Sequence, residues 1–450
     1  MNARGVILSA AASGSGKTVL VAGLLRLLLR RGTSVAAAKL GPDYIDPAFH
    51  AMASRRPCLN IDLWAMRAGT VAAMLDRLTH GAEVAIVEGA MGLFDGAADG
   101  SGSTADLAML SGWPVVLVVD ARGQAASAGA LVRGFASHRP GLSVAGVIFN
   151  RVGSASHGEM LHRAVAPLGI PILGSVPRED CFNLPARHLG LVQASEHGDI
   201  DLFLDGAADR LSEVIDVAGL LALARASSMK PAAGGNCGVP PLGQKIAIAQ
   251  DAAFAFAYPT LLDAWRGAGA ELRPFSPLAG EAPAGEVDAI YLPGGYPQLH
   301  AGQLASNEPF LRGLRKAAAR GAIIFGECGG YMALGAGLVD QSGRRHAMAG
   351  LLPLESSFAE RRPHLGYRRA ALMADGPLGV AGATYRAHEF HYATVIEEGP
   401  GDALFDCIDA RGQPLGASGR CRGKVFGSFL HLIDRDGAPD PIRFESSLPG

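Results

Sequence analysis

Residues 5–31 read GVILSAAASGSGKTVLVAGLLRLLLRR, and three unlike pieces meet there. Gly5–Ala10 is an unbroken apolar run of strand length, and Ala11–Thr18 is small and glycine-rich. From Thr18 to Arg31 the run is apolar at helical length, interrupted by Arg26 and closed by Arg30-Arg31, so it is too short to span a bilayer. A strand that turns through a glycine loop into a helix opens a parallel α/β sheet, with loop amides and the helix N-terminus facing an anion. The pattern GxxxxGK[ST] ends correctly at Gly16-Lys17-Thr18 but has Ala11 where its first glycine should stand. Gly14, Ser15 and Gly16 can close backbone N–H groups around phosphate oxygens, Lys17 can reach the β- and γ-phosphates, and the Thr18 hydroxyl can ligate Mg²⁺. ATP with Mg²⁺ is the expected ligand.

Working outward, the same alternation continues. Buried-strand runs occur at Val35–Leu40, Val84–Val87, Val115–Val119 and Val144–Phe149, with helical stretches at Thr70–Leu78, Ala105–Leu110 and Ala125–His138. Unbroken apolar strands separated by helices predict a parallel sheet covered on both faces. A Mg²⁺ ion in such a sheet needs more oxygen ligands at strand ends. Glu88 ends one strand, and Asp46 lies in the loop Lys39-Leu40-Gly41-Pro42-Asp43-Tyr44-Ile45-Asp46-Pro47. Asp120 also ends a strand, as a metal or nucleotide contact or as a cap for the next helix.

The pattern breaks at Ser227–Gln244 (SSMKPAAGGNCGVPPLGQ), a Pro- and Gly-rich linker, and then restarts. Strands are expected at Lys245–Gln250, Ala289–Leu292, Ala322–Phe325 and Lys424–Leu430, and helices at Tyr258–Gly267 and Glu308–Arg320. The chain is therefore expected to be α/β with two doubly wound domains, at 1–226 and 245–450, joined by residues 227–244.

In the second domain Gly326-Glu327-Cys328-Gly329-Gly330 turns sharply from a strand into a helix. Such an elbow projects a nucleophile clear of the sheet, and the helix N-terminus favours thiolate over thiol. The Gly329 N–H can hold an oxyanion, with a second donor from the turn Pro293-Gly294-Gly295-Tyr296-Pro297, at Gly295. His431, after the run Val425–Leu430, is the candidate base. A glycine turn, a cysteine elbow and a distal histidine, in that order, resemble the class I glutamine amidotransferases. Those enzymes carry Glu two residues after the histidine, where this chain has Ile433. Either Glu327 or Glu389 substitutes, or Cys328 and His431 work as a dyad.

Composition narrows the classes further. Of 450 residues, 49% are apolar and 18% charged, which suits packed cores rather than disorder. A formal charge of −2 provides no global field toward nucleic acid or an anionic membrane. Six cysteines at 58, 181, 237, 328, 407 and 421 form no CxxC pair, which argues against a zinc cluster or a disulfide framework. Met1-Asn2-Ala3-Arg4-Gly5 leads directly into a strand with no signal-peptide pattern, so a cytoplasmic enzyme is expected.

Eight segments together resemble the cobyrinic or hydrogenobyrinic acid a,c-diamide synthase family of corrin amidotransferases. They are SGSGKT (13–18), KLGPDYIDPAFH (39–50), VEGAMGLFDG (87–96), FNR (149–151), LPGGYPQLH (292–300), GECGGYM (326–332), HEFHY (388–392) and SFLH (428–431). The resemblance implies a dethiobiotin-synthetase-like ATP domain followed by a glutamine amidotransferase domain. It implies ATP and Mg²⁺ at Gly14–Thr18 with Asp46 and Glu88, adenine against Asn150, and the reacting carboxylate near Lys39, Asp43 and Tyr44. It further implies L-glutamine and a corrin polycarboxylate as substrates, an acyl phosphate intermediate, ammonia passing between the domains, and commonly a homodimer. NIDLWAMR (60–67) and the Ala/Gly/Arg-rich composition resemble the branch that acts on the cobalt-free ring, the cobalt-bound ring being the alternative. A partitioning-type P-loop ATPase shares the first half of the pattern but has no use for Cys328 with His431.

Overall fold

The structure is a computed structural model, and it describes residues 3–184, 186–187, 190–191, 193–196, 198–230 and 235–437. Residues 231–234 of the expected linker thus lie outside the described residues, as do 438–450 of the expected second domain. The chain forms two compact units, one of residues 1–64 and 69–235, the other of 65–68 and 236–450.

The first unit is built on β1 (Arg4–Ala10), β2 (Val35–Leu40), β3 (Leu59–Ile61), β4 (Val84–Glu88), β5 (Val115–Asp120), β6 (Val144–Val152) and β7 (Ile172–Pro177). They lie in the order β3-β2-β4-β1-β5-β6-β7, every pair parallel. All residues of β2 and β4 are buried, so these strands show no polar alternation and are apolar except at Lys39 and Glu88. Helix α1 (Lys17–Arg30) buries Val19 through Leu28 in the same core. Since β1 has β4 on one side and β5 on the other, the chain winds away from it in both directions. Ligands of open α/β sheets sit at the strand C-termini beside such a switch. The structure adds elements the apolar runs did not reveal: the short β3, β7, and α2 (Asp46–Ser54). Asp46 was expected in a loop; it opens α2 instead, with Pro47 in the first turn, where no N–H is needed.

The second unit contains β8 (Lys245–Ala249), β9 (Glu271–Phe275), β10 (Ala289–Leu292), β11 (Ile323–Glu327), β12 (His364–Leu372), β13 (Thr384–His391), β14 (Asp402–Asp409), β15 (Pro414–Arg422), β16 (Val425–Ser428) and β17 (Leu430–Arg435). Their order is β9-β8-β10-β11-β16-β15-β14-β12-β13-β17. The stretch from β9 to β16 is parallel, and the rest is antiparallel. Residues 337–339, 345–347, 354–357 and 394–398 make a separate small sheet.

The expected single strand Lys424–Leu430 is two strands broken at Phe429. His431 therefore lies within β17 rather than after a strand. β16 sits inside the sheet and β17 at its far end, yet one residue separates them. The sheet must curl until its last strand returns beside β16. That closure brings His431 toward Cys328, the residue after β11. Among the described residues, no helix is long and apolar enough to cross a membrane.

Candidate functional site

In the first unit, Gly14 (φ 74°) and Gly16 (φ 83°) take the left-handed backbone that lets loop amides turn inward. The Asn150 amide donates to the Ser15 carbonyl (2.8 Å), Arg151 donates to the Gly14 carbonyl (2.7 Å), and Ser15 Oγ donates to the Ala12 carbonyl (2.6 Å). Asn150 thus braces the loop directly. A cavity of about 160 Å³ beside it is lined by Gly16, Val19, Leu20, Asn150, Arg151 and Phe182. Lys17 is buried, and its Nζ donates to the Met91 carbonyl at 2.7 Å. Burial lowers its pKa from the ordinary lysine value.

Beyond the loop, one tight polar cluster forms. Thr18 Oγ1 donates toward Asp46 Oδ2 (3.0 Å) and Glu88 Oε1 (3.1 Å). Lys39 Nζ donates to the same two oxygens at 2.6 and 2.7 Å, and Asp43 Oδ2 is 4.0 Å away. Asp43 Oδ1 accepts the Ile45 and Asp46 N–H groups, shaping the turn that carries Tyr44. His50, fully buried on α2, meets Glu88 Oε2 through Nε2 at 2.5 Å. Burial alone would raise the Glu88 carboxyl, but Lys39 and His50 outweigh it and hold it far below the usual range. Burial would likewise lower Lys39, but Glu88, Asp46 and Asp43 outweigh it and raise it. Three convergent hard oxygens, from Thr18, Asp46 and Glu88, fit the donor set that Mg²⁺ takes.

Asp120 stands apart from this cluster. It accepts from the Arg122 N–H (3.1 Å) and guanidinium and from Arg151 (2.5 Å), so it caps its own turn and anchors the arginine on the phosphate loop.

In the second unit, Cys328 has φ 46° and ψ −102°, a strained backbone for a residue with a side chain. Its N–H donates to the Ser428 carbonyl (2.8 Å), and its thiol lies 3.6 Å from the Phe390 carbonyl. The adjoining glycines permit this packing. A Cβ on Gly330 would lie 1.9 Å from the Leu292 carbonyl oxygen, and one on Gly329 would lie 3.0 Å from the Gly295 nitrogen. The elbow and the turn at 293–297 are therefore in direct contact, with Gly295 and Gly329 adjacent. A Cβ on Gly294 would stand 2.3 Å from His431 Cε1 and 3.2 Å from each ring nitrogen, so the imidazole packs its Cε1 edge against that glycine.

The expected thiolate is not supported. Burial raises the Cys328 thiol to about 12, and the Gly329 amide only partly offsets it. The helix that follows, Gly329–Leu334, is six residues long, and its N-terminus cannot outweigh desolvation. Burial also lowers His431 to about 3, helped by the neighbouring His388 and His391. At neutral pH both partners rest uncharged, and the imidazole can accept a proton as the sulfur attacks.

The two acids suggested for orienting His431 both hold other partners. Glu389 is held by Arg368 (2.7 Å) and by His391 Nε2 (3.1 Å). Glu327, 1% exposed, accepts from Tyr291 Oη (2.6 Å) and from the Leu432 N–H (2.9 Å). His364, Glu389 and His391 bring ligand atoms within 4.8 Å of one another. The two imidazoles, however, stack at 4.5 Å and 8°, so no ion can lie in both ring planes in this arrangement.

Two participants escaped the sequence. His50 lay inside the quoted segment 39–50, where a histidine one helical turn beyond Asp46 was the available signal. Tyr291 sits in an apolar strand, Ala289–Leu292, where an aromatic residue reads as core.

The geometry has counterparts among known proteins. Residues 6–192 match the model of the CobQ/CobB/MinD/ParA nucleotide binding domain, and residues 245–438 that of the CobB/CobQ-like glutamine amidotransferase domain. A hydrogenobyrinate a,c-diamide synthase from a Sinorhizobium species is 51% identical over 438 residues, 96% of this chain and 99% of that one. One from Brucella suis biovar 1 (strain 1330) is 51% identical over 435 residues, 96% of this chain and 99% of its own. A third, from Mesorhizobium japonicum, is 48% identical over 442 residues, 97% of this chain and 100% of its own.

Proposed function

The chain belongs to the hydrogenobyrinate a,c-diamide synthase family, and we propose that it converts the a and c carboxylates of hydrogenobyrinic acid to amides, using ATP and glutamine, within cobalamin biosynthesis. It is a glutamine-dependent amidotransferase with a nucleotide-binding domain. We assign residues 1–226 to ATP-dependent activation, 227–244 to a linker and 245–450 to ammonia release. The observation that carries the proposal is the pairing, in one chain, of a phosphate loop beside an oxygen cluster with a cysteine elbow beside a buried histidine.

ATP binds with its phosphates at Gly14–Thr18 and its base beside Asn150. Thr18, Asp46 and Glu88 would hold Mg²⁺, which when bound neutralises phosphate charge. A substrate carboxylate, received near Lys39, Asp43 and Tyr44, attacks the γ-phosphorus. The bond to the bridging oxygen breaks, ADP departs, and an acyl phosphate remains. Lys17 and Lys39 supply positive charge to this transfer. Both lysines rest on other oxygens, Lys17 on Met91 and Lys39 on Asp46 and Glu88, so their charge is placed beforehand.

At the other site, Cys328 Sγ attacks the glutamine side-chain carbonyl while His431 takes the thiol proton. The Gly295 and Gly329 N–H groups face the oxyanion. The proton passes to the departing nitrogen, ammonia leaves, and water hydrolyses the thioester to glutamate. Ammonia then attacks the acyl phosphate, and phosphate leaves as the amide forms.

The test is mass spectrometry of products formed from ATP, glutamine and either ring. A diamide from the cobalt-free ring is expected. Turnover of the cobalt-bound ring alone would overturn the substrate assignment. Cys328→Ala should lose glutamine use yet keep synthesis from added ammonium; no rescue by ammonium would remove the assignment of Cys328 to glutamine hydrolysis alone.

A further inference from the structure

The class I position for a histidine-orienting carboxylate is filled here by Ile433, which is buried. β17 carries His431 and is the last strand of its sheet, bonded to β13 on one side only. Among the described residues no strand pairs with its other edge, so N–H groups there need other acceptors, as Arg435 finds in the Cys237 carbonyl (2.9 Å). Glu327 meets another of these N–H groups. Its Oε1 accepts the Leu432 N–H at 2.9 Å, and its Oε2 accepts the Tyr291 hydroxyl at 2.6 Å.

Leu432 directly follows the base, and Glu327 directly precedes the nucleophile. We propose that Glu327 is the positioning residue of the glutamine site, fixing His431 against Cys328 through the Leu432 amide rather than through the imidazole. This rests on the glutamine-hydrolysing role assigned above to Cys328 and His431.

The clamp is rigid at each end. Tyr291 is fully buried, stacked on Phe325 (5.7 Å, 21°) and edge-on to Trp265 (5.2 Å, 73°), so its hydroxyl cannot wander. Cys328 N–H is tied to the Ser428 carbonyl at 2.8 Å, and Leu430 N–H to Ser428 Oγ at 3.2 Å. The corner from β16 into β17 is thereby braced within itself and pinned to the elbow at two points, of which Glu327 alone reaches beyond His431. Glu389 has no such path, because Arg368 and His391 already hold its two oxygens.

The mechanism demands reach, not charge, and that separates the variants. In Glu327→Gln the amide oxygen can accept from Leu432 while its NH₂ donates to the Tyr291 oxygen, so glutaminase kcat should stay near the parent value. Glu327→Asp keeps the charge but is one methylene short of spanning both partners. Its kcat with glutamine should fall on the order of 10²-fold, as for a misplaced base, with KM for glutamine unchanged. Synthesis from added ammonium should persist in both variants. An Asp variant with undiminished kcat, or a Gln variant that falls as far as the Asp variant, would overturn the proposal. If the Asp variant does not fold, Tyr291→Phe decides: a lowered glutaminase kcat upholds the clamp, and an unchanged one overturns it. Failure of the underlying glutamine assignment is distinguishable, since Cys328→Ala would then still use glutamine.

Discussion

Gly294→Ala tests whether backbone packing locates His431, the base proposed above. A Cβ at residue 294 would lie 2.3 Å from His431 Cε1 and 3.2 Å from each ring nitrogen. Carbon atoms in contact settle at about 3.5–4.0 Å, so one of the two must move by more than about 1 Å. His431 is 0% exposed and cannot swing into solvent. The Gly294 carbonyl accepts the Phe256 N–H at 2.9 Å, which holds the turn from the other side. Overpacking of this kind destabilises by about 1–3 kcal/mol, and a base displaced by about 1 Å lowers kcat on the order of 10²-fold. Glutamine hydrolysis should therefore collapse while synthesis from added ammonium continues. The assay is glutamate release beside ammonium-dependent product formation, with a urea melt to confirm folding. A folded Gly294→Ala protein with the parent's glutaminase kcat would refute the placement of His431 against this turn.

Three further outcomes are expected. Glu88→Gln should abolish synthesis with either nitrogen source, and by breaking a buried pair with Lys39 should destabilise the protein by about 3–5 kcal/mol; normal synthesis would remove Glu88 from the proposed Mg²⁺ ligands. Cys328 should show no thiolate below pH ~8.5, the ordinary cysteine value, so ultraviolet thiolate absorbance of parent and Cys328→Ala should coincide there; an inflection near neutrality would contradict the buried, neutral thiol. The Glu327 carboxyl is raised by burial from 4.5 to about 7, with Tyr291 and Leu432 opposing the shift. A raised acid stabilises the fold below its unfolded pKa and loses that contribution as pH rises through about 7, here about 3 kcal/mol. Urea denaturation from pH 4.5 to 8 should show this loss in the parent and not in Glu327→Gln; parallel curves would refute it.

The two departures from motif show which information is local and which is not. The phosphate loop needs glycine only where φ is positive, at Gly14 and Gly16. Ala11 is not among the positive-φ residues, so its methyl group meets no backbone restriction, and the loop was legible without the first glycine. The parallel strands were legible for a similar reason: β2, β4 and β5 are apolar runs that burial on both faces demands. β12, reading HLGYRRAAL with its first six residues all exposed or half-buried, carries no such run, and only its pairing with β13 and β14 makes it a strand. The same dependence on distant pairing hid the break at Phe429, and with it the true place of His431. Ile433 is the sharper case. Two residues on from His431 along β17, it is the residue left unpaired where the register with β13 shifts, and it is buried. A carboxylate there would need its own partners at a cost of several kcal/mol. The carboxylate the site does hold comes from residue 327, 105 residues away from the N–H it meets, and it meets backbone rather than ring. No spacing rule looks for an acid beside the nucleophile whose effect falls on the base, because the curl of the sheet alone makes those two positions neighbours.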